Sequence, residues 1–204
     1  MFYLKVLFIC LFSFFMGAIP SAYVLVKLTT GKDLRKIGSG NIGATNAKRA
    51  SENWLHGNIL FCTTVLSDIL KGVIPVLVAM LLTKDIANSL VRDSIITAAA
   101  IMTILGHDFM PFIKQGAGKG VSTTVGAFLL LAPIPVVIGM AAFLILRFFT
   151  KVVSKRSIII ALIISLSCII MKISLPIIIG SLVSAVLIIL RHKENIKRII
   201  NGEE

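Results

Sequence analysis

Charge is scarce in this chain. Asp, Glu, Lys and Arg make up 15% of its 204 residues, against about a quarter in an ordinary soluble domain. Acidic residues are scarcest, nine against 21 Lys and Arg, so a formal charge of +12 sits on a 57% apolar composition. That combination excludes a typical soluble enzyme. Aromatics reach only 7%, with one Trp and two Tyr, and no stripe of rings alternates with Arg. The stacking platforms of nucleic-acid binding are therefore missing, and no nucleic-acid partner is expected despite the basic balance. The three Cys, at positions 10, 62 and 168, lie in apolar runs as small hydrophobes. The three His, at 56, 107 and 192, have no Cys or acidic neighbour at metal-ligand spacing. No metal and no organic cofactor are expected.

What the chain does have is long apolar runs separated by short basic segments, the pattern of a polytopic membrane protein. At ~20 residues per crossing, the length allows about five to seven helices and no separate soluble domain. Residues 1–204 are read as a single integral-membrane domain, all-α. The first span, 6–26, is too long for a signal-peptide core and is read as retained. Segment 27–49 holds six Lys or Arg against Asp33, which places it in the cytoplasm and the N-terminus outside. Span 54–82 returns to a charge-neutral external loop, 83–93, and 94–105 goes back in, delivering 106–120 to the cytoplasmic face. In 121–146, Pro133 and Pro135 mark a turn between two short helices, which keeps the four cations of 147–156 inside. Segment 157–190 would rise ~50 Å as one helix, too long for a ~30 Å hydrocarbon core, and Lys172 is its natural external turn. The expectation is about seven transmembrane helices, some short or broken, with the polar loops and the tail on the cytoplasmic face. A five-helix alternative differs only in the side given to 147–156.

Three cytoplasmic segments carry the polar chemistry. The first contains Gly38-Ser39-Gly40-Asn41, then Gly43, Thr45 and Asn46, and closes on Lys48-Arg49. Small residues, hydroxyls, amides and a cation ahead of a helix make a phosphate cradle. The second runs from Gly106-His107 to Gly118-Lys119-Gly120 and Thr123. A Walker A loop is rejected, because Ile113 stands where its first Gly belongs and Gly120 where Ser or Thr must follow Lys. What remains is a second anion site with Lys119 as its point charge. The third is the tail, where His192, Asn195 and Arg198 share one helical face at spacings of three. Asp68 and Lys71, one turn apart in an apolar span, read first as an ion pair.

Two anion sites on one membrane face suggest a reaction in which two phosphates meet. The residues resemble those of the bacterial integral-membrane glycerol-3-phosphate acyltransferases that use acyl phosphate as donor. The likeness runs through Gly17-Ala18-Ile19-Pro20 and Tyr23, the stretch from Gly38 to Arg49, Asp68 with Lys71-Gly72, Gly106-His107, Gly118-Lys119-Gly120 with Thr123, and His192, Asn195, Arg198, Gly202 and Glu204. One departure stands out: the family usually has a basic residue where this chain has Gly116, and whether Lys114 replaces that charge is open. The resemblance implies acyl transfer from acyl phosphate to the sn-1 hydroxyl of glycerol 3-phosphate in the bacterial plasma membrane, with membrane lipid as surroundings and a soluble acyl-phosphate synthase as supplier. Expected catalytic residues are Ser39, Lys119, His192 and Asn195. Gly38, Gly40, Asn41, Gly43, Thr45, Asn46, Arg49, His107, Gly118, Gly120, Thr123 and Arg198 are expected to bind substrate. Proton removal falls either to His192 or to the donor's own phosphate as it leaves. The His-x4-Asp signature of other glycerolipid acyltransferases is absent, since Phe61, Phe112 and Lys197 follow the three His at that distance. A small transporter for a phosphate-bearing solute is the competing class, although its site belongs near the midplane, not at one face.

Overall fold

The computed structural model describes residues 1–111, 113 and 117–203. Among them there are ten α-helices, one 3-10 turn and no strand. The first apolar run is not one rod. Helix α1 (Phe2–Gly17) stops before Pro20, whose ring cannot continue the hydrogen-bond ladder, and α2 (Ser21–Thr30) restarts behind it. The Ile19 carbonyl at the break accepts from Lys71 Nζ at 2.9 Å, so a neighbouring helix satisfies what the break exposes. Lys71 also meets Asp68 at 2.9 Å, the pairing expected from sequence.

After a 3-10 turn at Leu34–Lys36 and the short α3 (Ala44–Lys48), two long helices form the centre: α4 (Trp54–Leu82) and α5 (Ser89–Phe109). Two expectations need correction here. The loop expected at 83–93 ends earlier, because Asn88 caps α5 by accepting from Val91 N at 3.1 Å. Gly106, His107 and Asp108, expected in a loop, lie in the last turn of α5. Gly106 does not break that helix; its missing side chain lets the Phe14 carbonyl of α1 sit where a Cβ would be.

Helix α6 (Val121–Leu129) and α7 (Pro133–Leu146) are separated at the expected Pro pair, with Pro133 opening α7. Nine residues rise only ~13.5 Å, under half of a ~30 Å hydrocarbon core. Helix α6 is instead wrapped by protein, with Phe128 fully buried, Gly72 of α4 against the Thr123 carbonyl, and Gly126 against the Ile69 carbonyl. Helices α8 (Val153–Ile170) and α9 (Leu175–Arg191) turn at Lys172, which has φ of 50°, and α10 (Lys193–Ile200) bends 59° away from α9. The segmentation of 121–190 thus follows the sequence reading. Four helices or helix runs, Phe2–Thr30, Trp54–Leu82, Ser89–Phe109 and Val153–Ile170, are long and apolar enough to cross a membrane.

The main core joins Val76, Ile96, Ile104, Phe128, Val136, Ile164 and Cys168 from α4 through α8. Leu, Ile and Phe side chains such as Phe8, Leu70, Leu81, Leu166 and Leu190 point outward along the same helices. Apolar surface of this extent suits contact with lipid.

Candidate active site

A second, smaller core of Val26, Leu34, Ile42, Ala47, Leu60 and Met110 supports the polar loops from below. On it, residues 37–43 fold into a basket. Gly38 and Gly40 take φ of 51° and 69°, conformations a side chain would strain. The Asn46 amide reaches back from α3 to the carbonyls of Leu34, Ile37 and Asn41 at 3.2, 2.8 and 3.0 Å. Beside Gly38 runs the Arg49 side chain, its Nη1 3.2 Å from where a Cβ would stand. At the basket's edge Arg35 donates to Asp33 through Nε at 3.0 Å and Nη2 at 2.6 Å and lies 5.3 Å from the Tyr23 ring centre. The hydrogen bond from the Arg35 side chain holds the Asp33 carboxyl down at about 2.

The second segment faces this basket. Gly120, with φ of 71°, turns the chain into α6. Gly118 lies directly over the His107 imidazole, which would overlap any Cβ there. Lys119 donates to the Asn195 side-chain oxygen of α10. At the joint between α9 and α10, His192 Nδ1 is 2.7 Å from the Ile188 carbonyl. A carbonyl only accepts, so Nδ1 carries the proton and Nε2 is the basic nitrogen of the neutral ring.

These parts enclose a cavity of about 780 Å³. Its polar end is lined by Ser39, Asn41, Gly43, Thr45, Asn46, Arg49, His107, Lys119, Gly120, His192, Asn195 and Arg198. Its other end runs between α4, α6, α7 and α8, against Phe61, Val65, Ile69, Val125, Met140, Phe143 and Ile160. An adjoining basin of about 420 Å³ shares Ser39, Asn41, Lys119, Asn195 and Arg198 and adds Gly40, Arg35 and Arg191. Among the described residues no group of three His, Cys, Asp or Glu could hold a metal ion.

The sequence of residues 7–202 matches the profile of the family described as glycerol-3-phosphate acyltransferase. The chain belongs to the glycerol-3-phosphate acyltransferase family. It is 42% identical over 192 residues to the glycerol-3-phosphate acyltransferase of Clostridium acetobutylicum, covering 94% of each chain. Over 192 residues it is 36% identical to glycerol-3-phosphate acyltransferase 2 of Bacillus anthracis, again 94% of both. Its fold superposes on crystal structures of PlsY (YgiH), an integral membrane glycerol 3-phosphate acyltransferase. For the glycerol 3-phosphate form the TM-score is 0.84 at 31% identity, covering 98% of this chain and 94% of that one. For the lysophosphatidic acid form it is 0.81 at 28%, covering 98% and 93%. This acyltransferase is therefore an integral membrane protein.

Three of the sixteen sequence-predicted site residues line neither space. Gly38 backs onto Arg49, Gly118 fits over His107, and Thr123 is buried in the α4–α6 contact. Their sizes matter for packing. The expectations at Lys114, Gly116 and Glu204 lie outside the described residues. Sequence reasoning passed over Ser154 and Ser157, which line the cavity from the first turns of α8. Two hydroxyls at a spacing of three at the start of a long apolar helix were the available signal, though Lys155 and Arg156 between them masked it. Asp68 also reaches the cavity despite its pairing with Lys71.

Proposed function

We propose that this protein transfers a fatty acyl group from acyl phosphate to the sn-1 hydroxyl of glycerol 3-phosphate. The products are 1-acyl-sn-glycerol 3-phosphate and inorganic phosphate, the opening step of phospholipid synthesis, made in the bacterial plasma membrane with the basket toward the cytoplasm. One observation carries the reading: a single cavity joins a cationic, hydroxyl-rich end to an apolar slot between helices. Such a cavity fits an amphiphile whose anionic head and hydrocarbon tail must be held together. The PlsY structures, whose forms are described as glycerol 3-phosphate and lysophosphatidic acid, support the acceptor and the product class.

An acyl phosphate is an activated anhydride, so no covalent enzyme intermediate is required. The acceptor hydroxyl oxygen bonds to the acyl carbon, and the bond from that carbon to the phosphate oxygen breaks. The phosphate leaves with the electron pair. Arg49, Lys119 and Arg198 neutralise the two phosphates, Ser39, Asn41 and Thr45 orient them, and preorganised charge of this kind supplies most of the acceleration. His192 takes the hydroxyl proton on Nε2. Glycerol 3-phosphate and acyl phosphate are the small-molecule partners, and a soluble acyl-phosphate synthase is the implied supplier.

The test uses purified protein in lipid nanodiscs. Phosphate release that needs both acyl phosphate and glycerol 3-phosphate, with a 1-acyl product, is expected. Formation of the 1-acyl product with release of free CoA from acyl-CoA in place of acyl phosphate overturns the donor assignment, and solute uptake into vesicles without acyl transfer overturns the enzyme.

A further inference from the structure

Arg191 ends α9, one residue before His192, and its guanidinium reaches across 73 positions of sequence to main-chain oxygens. Nε and Nη2 donate to the Gly118 carbonyl at 3.2 and 3.1 Å, and Nη2 also donates to the Ala117 carbonyl at 3.2 Å. The carbonyls belong to the two residues directly before Lys119. Below the same loop, the His107 ring fills the space under Gly118. The loop is thus clasped from two sides, and the residue it presents next is the cation that meets Asn195 of α10.

From this geometry we infer that Arg191 is a positioning residue that acts through Lys119. It fixes the distance between the Lys119 ammonium and the His192–Asn195 turn. A guanidinium suits the task because its planar fork serves two adjacent acceptors at once and stays charged. A lysine in its place offers one compact ammonium on a flexible stem, which cannot hold both carbonyls in one orientation. Arg191 also borders the smaller basin, so the rival role is direct contact with a substrate phosphate.

The kinetic arm rests on the acyl-transfer reading; a second arm does not. In the first, kcat and KM for both substrates are compared for wild type, R191A, R191K, K119A and the R191A/K119A double variant. A misplacement of about 1 Å costs on the order of 10²-fold in rate, so R191A should lose kcat by that order with KM nearly unchanged. R191K should recover little. The double variant should match K119A, because a residue acting through Lys119 has nothing to position once Lys119 is gone. Multiplying losses, or a rise in KM with kcat intact, overturns the inference and makes Arg191 a phosphate ligand. The second arm is amide hydrogen exchange. R191A should speed exchange across residues 117–121 and leave 38–49 at wild-type rates, whether or not turnover is detected. Unchanged exchange at 117–121 overturns the positioning role even if the acyl-transfer reading stands.

Discussion

A methyl group at Gly118 has nowhere to go, because the His107 ring occupies its place. Gly118→Ala must lift the loop that carries Lys119, and a site displaced by about 1 Å loses on the order of 10² in rate. The expected result is a kcat reduced by that order while the helices remain folded, checked by turnover alongside thermal unfolding in detergent. Asn46 serves the basket in a different way. Its amide donates to three carbonyls, and Asn46→Ala removes all three bonds while the Leu34 and Ile37 carbonyls still accept from Ile37 N and Gly40 N, which costs about 1 kcal/mol. Its melting temperature should fall together with activity. Asp33, held at about 2 by Arg35, contributes its ion pair above the unfolded carboxylate value of ~3.9 and loses it only as pH falls from there toward 2. It therefore imposes nothing near neutrality. If His192 is the base, His192→Gln should lose ~10² or more in kcat with KM nearly unchanged. A His192→Ala variant that keeps a sizeable fraction of turnover at saturating substrate assigns the proton to the departing phosphate. The run from Gly38 to Arg49 was legible at this scale because all its members are sequence neighbours. Arg191 was not, because both of its acceptors are backbone oxygens 73 and 74 positions away, and no side-chain pattern announces a carbonyl partner.

At the level of helices, some breaks were readable and one was not. Pro133 and Pro135 separate α6 from α7 as their chemistry requires, and Lys172 falls in the turn between α8 and α9. The opening break at Pro20 was hidden inside an apolar run long enough to pass for one crossing, since hydropathy does not register a lost hydrogen bond. Gly106 misled in the opposite direction. Next to a His-Asp pair it looked like the start of a loop, whereas it is a contact surface between α1 and α5. Gly106→Leu should push these helices apart. Overpacking of this kind costs about 1–3 kcal/mol, and a lowered unfolding temperature with little change in KM is the expected measurement.

For the whole molecule, the distribution of cations carries the expected topological map. Of 21 Lys and Arg, all but Lys5, Lys71 and Lys172 lie in the five polar segments that the sequence reading set between or after the apolar runs, the pattern from which the expected orientation was drawn. The half-length α6 is compatible with that map because its middle, from Thr123 to Phe128, is buried by protein. If the four cations of 147–156 lie on the cytoplasmic side, a Phe149→Cys variant should react with a membrane-impermeant thiol reagent only from that side. Labelling from the outside would place α6 and α7 in a single crossing. The acyl slot was the least legible part of the molecule, since it exists only where α4, α6, α7 and α8 meet, and its lining residues look like any other core residues in the sequence.

The join between that slot and the cationic basket also decides what else competes for the enzyme. Nothing in Val65, Ile69, Val125 or Phe143 distinguishes a substrate chain from the tail of a detergent, and on the proposed function the basket would take tetrahedral anions in general. Single-chain alkyl sulfates and alkyl phosphonates present both ends in the right order without an ester or anhydride to break. They should act as bisubstrate-like inhibitors, competitive with the acyl donor, with potency that grows by ~0.8 kcal/mol per added methylene until the slot is full. The chain length at which that growth stops measures the depth of the slot.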